Sequence, residues 1–188
     1  MTNMIIKFSS IILFIHCHVI CLAEDVPGNQ KKTGTLTVEQ AAEMVKKANE
    51  TRQRELDLSW LTSIDQDVAK ELSHYGGQRL LLDGLTSITQ EVAHELTKVQ
   101  PGRFGWYKKG DDTKTPQKSL SLDGLTAISK EVAQELAKCN GELNLNYVES
   151  MDSGVARELA KFKGTFLNIQ FLESIAPEDM NVLKDGLR

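Results

Sequence analysis

Residues 80–96 read LLLDGLTSITQEVAHEL, and residues 120–136 read LSLDGLTAISKEVAQEL. Each stretch begins with leucines at every second position, which is the spacing of a strand with one buried face. Each stretch continues with Val-Ala-x-x-Leu, which places apolar residues on one stripe of a helix. This change of apolar period predicts a short strand followed by a helix in both stretches.

The same strand and helix pattern occurs five times between residues 55 and 188. The first leucines of the units are 24, 40, 23 and 24 residues apart, so one interval contains an insertion of about 16 residues. A strand and a helix of this length bury their apolar sides only against the next copy. The sequence therefore predicts an α/β solenoid with a parallel sheet on one face and helices on the other, right-handed as such connections are. The first leucines are Leu56, Leu80, Leu120, Leu143 and Leu167.

Residues that favour helix ends punctuate the units. Serine, threonine or aspartate precedes four of the helices and is expected to accept a hydrogen bond from a free backbone amide. Pro177 takes the first helical position of the fifth unit. We interpret the glycines after three of the helices as C-terminal caps. The N-caps are Asp65, Thr89, Ser129 and Asp152, and the glycines are Gly76, Gly141 and Gly164.

The whole chain divides into four segments by composition. Residues 1–23 carry one charge, Lys7, and an apolar run ending in Ala23, so they are expected to be a cleaved signal peptide. Residues 24–35 are predicted to be a flexible linker and residues 36–54 an N-terminal capping helix, with Thr37 and Gln40 in capping-box spacing. Residues 55–188 form the five units, with the insertion at 100–118. We expect a secreted, periplasmic or cell-surface protein without a membrane span after cleavage; a retained anchor and lipidation at Cys21 remain open.

The strings at 82–88 and 122–128, each followed by Glu-Val-Ala-x-Glu-Leu, resemble the leucine-rich repeats of bacterial secreted and surface proteins. The resemblance covers about residues 55–188 and implies a leucine-rich-repeat-like solenoid that binds proteins or other ligands through its strand face. One position departs from the family pattern, because apolar residues replace the asparagine that forms a hydrogen-bonded ladder in typical members. These residues are Leu61, Leu85, Leu125, Val148 and Leu172.

Polar residues occupy the outward positions of the strands, and the resemblance makes this face the candidate binding surface. Their short side chains suit a polar peptide or a glycan, and the alternative is a solvated sheet face without a ligand. Asp83 and Asp123 occupy equivalent positions in units two and three. Two carboxylates are weak support for a calcium site, and no metal is predicted. The candidate residues are Asp57, Ser59, Asp83, Asp123, Asn144, Asn146, Asn168 and Gln170.

The next position of the repeat is aromatic in units one, four and five, at Trp60, Tyr147 and Phe171. They are either a stacking platform for a sugar or, as we favour, residues that pack against the turn of a neighbouring unit.

The insertion combines aromatic and basic residues on an acidic protein, and long insertions in a compact scaffold often carry function. We predict a recognition element there; the alternative is a loop that only shields the gap between units two and three. Its candidate residues are Arg103, Phe104, Trp106, Tyr107 and Lys108, with further basic residues up to Lys118.

Composition and motifs favour a binding module over an enzyme. A net charge of −4 argues against a nucleic-acid partner. The sequence contains no zinc spacing, phosphate-binding glycine loop or Ser/His/Asp order, so no cofactor is predicted. Cys139, the one cysteine beyond the signal, is expected to be a buried or half-buried residue, and a redox or dimer-forming thiol is the alternative. We predict a secreted, non-catalytic module for protein or glycan binding; the alternative is a structural component of the cell envelope or matrix.

Overall fold

The computed structural model describes residues 34–99 and 118–187. In this part the chain is an α/β protein with six helices and one sheet of five parallel strands. In chain order the elements are α1 (Val38–Glu50), β1 (Glu55–Asp57), α2 (Gln66–Ser73), β2 (Arg79–Leu81), α3 (Gln90–Thr97), β3 (Ser119–Ser121), α4 (Lys130–Leu136), β4 (Glu142–Asn144), α5 (Ser153–Leu159), β5 (Phe166–Asn168) and α6 (Pro177–Gly186).

The strands follow one another across the sheet in the order in which they occur in the chain. The first leucine of each unit pairs with the first leucine of the next, from Leu56 through to Leu167. The pairing of Leu80 with Leu120 keeps this register although the insertion separates the two strands. The predicted alignment of the five units is therefore confirmed, and α1 to α6 pack on one another in the same order.

The predicted N-caps are confirmed by their hydrogen bonds. Asp65 and Asp152 each accept from a backbone amide three residues on, at 2.8 Å, and Thr89 and Ser129 do so at 3.3 Å. Ala176 makes no side-chain cap, and Pro177 begins α6 as expected. Thr37 and Gln40 form the complete capping box of α1. Local side-chain chemistry thus determines where the helices begin.

The interpretation of the glycines as C-terminal caps is wrong. Gly34 is the only described glycine with a positive φ, so Gly76, Gly141 and Gly164 do not adopt the left-handed conformation of such caps. A Cβ atom at Gly141 would collide with the carbonyl oxygen of Lys118, and one at Gly164 would collide with that of Gly141. These two glycines are needed because the backbones of neighbouring units approach closely before each strand.

The core is the inner side of the sheet, where the leucines of each unit contact those of the next. Leu58, Leu82, Leu122 and Leu145 are fully buried between the strands and the helices. The apolar residues at the asparagine position of typical leucine-rich repeats are likewise buried in the first four units. In the last unit Leu167, Ile169 and Leu172 are only half-buried, since no strand follows β5 among the described residues. Burial thus depends on the presence of a following unit.

Helices long and apolar enough to cross a membrane do not occur within residues 34–99 and 118–187.

Substitution of Gly124 tests the close approach of the units. Its added methyl group would collide with the carbonyl oxygens of Asp83 and Leu85 in the preceding turn. We expect Gly124→Ala to lower the free energy of unfolding by about 1–3 kcal/mol in a urea titration.

Gly154→Ala in α5 is the matched control. Its methyl group would lie 3.1 Å from Asp152 Oδ1 and 3.3 Å from the flexible Lys130 side chain. Alanine favours a helix, but Asp152 Oδ1 also caps α5 and must shift slightly, so we expect a change of less than about 1 kcal/mol in either direction. Equal effects of the two substitutions would contradict the stacking of turns described above.

Candidate functional site

The outward face of strands β2 to β5 forms a groove with a volume of about 620 Å³. Its lining is almost entirely polar, with one basic and three acidic side chains. The lining residues are Gln78, Arg79, Leu81, Asp83, Ser119, Ser121, Asp123, Glu142, Asn144, Asn146, Asn168 and Gln170.

The floor of the groove lies at β3, where the outward residues are small. Ser119 and Ser121 flank the inward-facing Leu120 and point to the opposite side of the strand. Both serines are buried, with 7% and 3% of their surface exposed. The longer side chains of Arg79 and Glu142 occupy the strands on either side. The depth of the groove is therefore set by side-chain size along the strand order.

A first set of hydrogen bonds links three units along the groove. Asp83 Oδ1 accepts from the backbone amide of Asp123 at 3.1 Å, and Asp123 Oδ1 accepts from that of Asn146 at 2.9 Å. The side-chain amide of Asn146 also donates to Asp123 Oδ2 at 3.2 Å. The recurrence of Asp83 and Asp123 thus has a structural explanation. Within residues 34–99 and 118–187, no three His, Cys, Asp or Glu side chains are arranged to hold a metal ion.

A second set of hydrogen bonds holds the outward residues of β3, β4 and β5. The Asn168 amide donates to Asn144 Oδ1 at 2.6 Å and to Glu142 Oε1 at 3.0 Å. The Asn144 amide donates to Ser119 Oγ at 3.2 Å. Neighbouring strands therefore fix one another's side chains before any ligand is present.

The carbonyl oxygen Asn146 Oδ1 is buried and has no hydrogen-bond partner in the described structure. A buried acceptor without a donor loses its hydration and gains nothing in return, which is unfavourable. Asn146 is thus a groove residue with an acceptor that a suitably placed donor would satisfy.

Tyr147 and Phe171 directly follow the groove residues Asn146 and Gln170 in the chain and stack on each other, but neither ring lines the groove. Their ring centroids are 4.9 Å apart with an interplanar angle of 18°, and each residue retains 52% of its exposed surface. Trp60, at the equivalent position of the first unit, packs partly buried against the core. The favoured expectation is contact with a neighbouring unit. Tyr147 and Phe171 make such a contact with each other but stay half exposed, and the alternative of a stacking platform stays a prediction.

Six of the eight strand-face residues predicted from the sequence line the groove: Asp83, Asp123, Asn144, Asn146, Asn168 and Gln170. Asp57 and Ser59, in the first unit, do not line the groove, and their role in binding stays a prediction. Asp57 Oδ1 instead accepts from the Ser59 amide at 3.0 Å. The insertion residues Arg103, Phe104, Trp106, Tyr107 and Lys108 lie outside the described residues.

Four polar groove residues precede the first leucine of their unit and were not predicted: Gln78, Arg79, Ser119 and Glu142. Side chains alternate between the two faces of a strand, so the positions before and after a buried strand leucine point to the same face. This alternation would have identified Arg79, Ser119 and Glu142 from the sequence.

Lys118, the last residue of the predicted insertion, is buried rather than exposed to solvent. It lies directly before β3, retains only 7% of its surface exposed, and burial lowers the pKa of its ammonium group to about 7. Cys139 is buried as expected, and burial raises the pKa of its thiol despite opposing contributions from backbone amides and from Lys118. A protonated, buried thiol is a poor nucleophile near neutral pH.

A polar contact in the described helix layer links neighbouring units. Glu135 of α4 is buried and lies 2.8 Å from the Nδ1 atom of half-exposed His94 on α3. Burial raises the pKa of the Glu135 carboxyl group, but hydrogen bonds from Lys138 and His94 outweigh this, and the net pKa is lowered. The described histidines therefore serve the helix layer: His94 pairs with Glu135, and His74 is the C-cap residue of α2.

Comparison with protein-family models, with curated proteins and with solved structures gives no significant match for this chain.

Replacement of Lys118 by methionine tests its burial. Folded Lys118 loses its proton near pH 7, whereas an unperturbed lysine does so near 10.5. Between these values the unfolded chain binds more protons, so this group makes stability rise with pH. At about pH 6 the ammonium group is charged, and burial, the largest influence on its pKa, opposes that charge. We therefore expect Lys118→Met to raise the free energy of unfolding by roughly 1–3 kcal/mol.

The gain should shrink towards about pH 9, as measured by urea unfolding at both values. Lys46→Met is the control because Lys46 is exposed on α1. A gain for Lys118→Met that is the same at both pH values would contradict the buried, easily deprotonated lysine.

Proposed function

We propose that this chain is a secreted, non-catalytic binding module that recognises a polar ligand through the groove. The observation that carries the proposal is that side chains from four consecutive strands line one groove and are held by hydrogen bonds between units. Such ordering before binding reduces the conformational entropy lost when a ligand is bound.

The charges of the groove favour neutral or positively charged ligands. Asp83, Asp123 and Glu142 line it together with a single basic residue. That residue, Arg79, is paired with Glu55 at 3.1 Å. Anionic ligands such as nucleic acids therefore meet net negative charge, whereas a peptide or a glycan meets suitable acceptors.

We further propose that the five units form a right-handed, leucine-rich-repeat-like solenoid. The proposal is supported by strands that pair in chain order and by helices that pack in the same order. The right-handedness is expected because strand–helix–strand connections in parallel sheets are almost always right-handed.

The proposal of secretion rests on residues 1–23. We also propose a second recognition element in the insertion, formed by Arg103, Phe104, Trp106, Tyr107 and Lys108. Both segments are outside the described part of the chain, so their support is the sequence pattern alone. Residues 1–23 combine a single charge with an apolar run that ends in Ala23. N-terminal sequencing of the exported protein tests cleavage after Ala23.

Capture by the purified chain tests the groove. We expect the double variant Asn144→Ala/Asn168→Ala to reduce capture of the bound partner from the exported fraction by about tenfold or more. The matched control is Thr86→Ala/Thr126→Ala, which removes two exposed threonines that do not line the groove. Thermal unfolding of each variant verifies that it remains folded.

Deletion of residues 101–117 separates the two recognition surfaces. Capture that survives the deletion but not the groove substitutions supports the groove. Capture that is lost with the deletion and survives the groove substitutions contradicts the groove as the main site and supports the insertion.

The alternative function, a structural component of the envelope or matrix, is favoured by a different observation. Phe166, Val182 and Leu187 are exposed in the last unit. In the earlier units the backbone amide at one position donates a hydrogen bond to a carbonyl oxygen of the next unit, as it does at Leu58, Leu82, Leu122 and Leu145. Ile169 occupies this position in the last unit. A free strand edge beside exposed apolar residues promotes association between chains.

Sedimentation over about a hundredfold range of concentration tests this alternative. A structural component should show a mass that rises with concentration, and Phe166→Lys should reduce the rise more than Thr165→Lys, a control at the neighbouring exposed position. A mass that stays at that of the single chain would exclude assembly through this edge.

A further inference from the structure

We propose that the ligand of the groove is a neutral oligosaccharide, with one sugar ring stacked on the Tyr147–Phe171 pair and its hydroxyl groups bound by the amide side chains beside it. This inference rests on the proposed binding function and specifies the class of ligand.

The aromatic pair supplies the apolar half of a sugar site. The two rings are held parallel by their mutual stacking yet remain half exposed, next to groove residues Asn146 and Gln170. A pyranose ring presents a face of C–H groups that packs on such a surface, while its hydroxyl groups point outward from the ring edge. Aromatic side chains provide this contact area with little loss of conformational entropy.

The column that carries the two rings is empty of side chains in the middle of the sheet. Units two and three have Gly84 and Gly124 there, and a Cβ atom at either position would collide with the preceding turn. An aromatic side chain is therefore sterically excluded beside β2 and β3. The exposed aromatic pair lies in the two units that contribute Asn146 and Gln170 to the groove.

The polar half of the site offers partners for hydroxyl groups. Asn144, Asn146, Asn168 and Gln170 carry neutral amides, and a hydroxyl group likewise donates and accepts. The first three already bond groups of neighbouring units, so a sugar would use their remaining acceptor sites or replace some of these bonds. The groove carboxylates keep their charge, so the preference for a sugar over a basic side chain rests on the aromatic pair.

The buried acceptor Asn146 Oδ1 lies next to the rings along the chain. It has no donor in the described structure. A hydroxyl group that reached it would therefore satisfy a buried acceptor.

Titration calorimetry with defined probes tests the proposal. The probes are short, soluble oligomers of β-1,4-linked glucose, β-1,4-linked N-acetylglucosamine and α-1,4-linked glucose, with oligolysine as a basic peptide. We expect the purified full chain to bind at least one of the saccharides. Tyr147→Ala and Phe171→Ala should each weaken that binding by about tenfold or more.

Val182→Ala is the control because Val182 is exposed, at 38%, and lies on α6 in the helix layer rather than on the strand face. It should leave saccharide binding unchanged. Since the two aromatic residues and Val182 are exposed, their removal is expected to preserve the fold, and thermal unfolding verifies this.

Three results overturn the saccharide proposal: no binding of any saccharide, binding that Tyr147→Ala and Phe171→Ala leave unchanged, or equal losses with Val182→Ala. If oligolysine binds in place of the saccharides and Asn144→Ala/Asn168→Ala abolishes its binding, the ligand class is wrong but the groove remains a binding site. If capture from the exported fraction is also independent of the groove, the proposed function itself fails.

Discussion

Each unit of this protein buries its apolar side against the next unit, and the other features of the structure depend on that contact. The first leucines pair from strand to strand, and the second leucines are fully buried beneath them. The contact brings the backbones of successive turns so close that only glycine fits at positions 84 and 124. Where no further unit follows β5, the equivalent apolar residues are half-buried and aromatic side chains remain exposed.

The same register produces the groove. Because the leucines fix the strands side by side, the residues on either side of them must lie in rows on the opposite face. Short polar residues in these rows are within hydrogen-bond distance of their neighbours one unit away, as Asn144 and Asn168 are. The carboxylates of Asp83 and Asp123 each accept a hydrogen bond from a backbone amide of the next unit. Stability and the proposed ligand recognition thus involve the same side chains, so groove substitutions need a parallel measurement of stability.

Residues whose role depends on local spacing were predictable from the sequence, and residues whose role depends on distances between units were not. The leucine register and the four N-caps follow from periods and side-chain chemistry within one unit. Gly141 and Gly164 were assigned to helix ends because a sequence does not show how closely two backbones approach. The burial of Lys118 and the exposure of Tyr147 and Phe171 likewise depend on what the neighbouring unit covers. Six groove residues were found because the strand period identifies a face, but that period does not show which units along the face form the groove, so Asp57 and Ser59 were named as well.

The most direct test of this account is the pairing of β2 with β3, the two strands between which the insertion falls. Nuclear Overhauser contacts in the full chain between the backbone protons of residues 79–81 and those of residues 119–121 report this pairing. The account predicts a parallel pattern that places Leu80 beside Leu120 and connects Leu82 to Ser121 through the hydrogen bond between them. An antiparallel pattern, or no contacts between the two segments, would contradict the claim that the units stack without interruption.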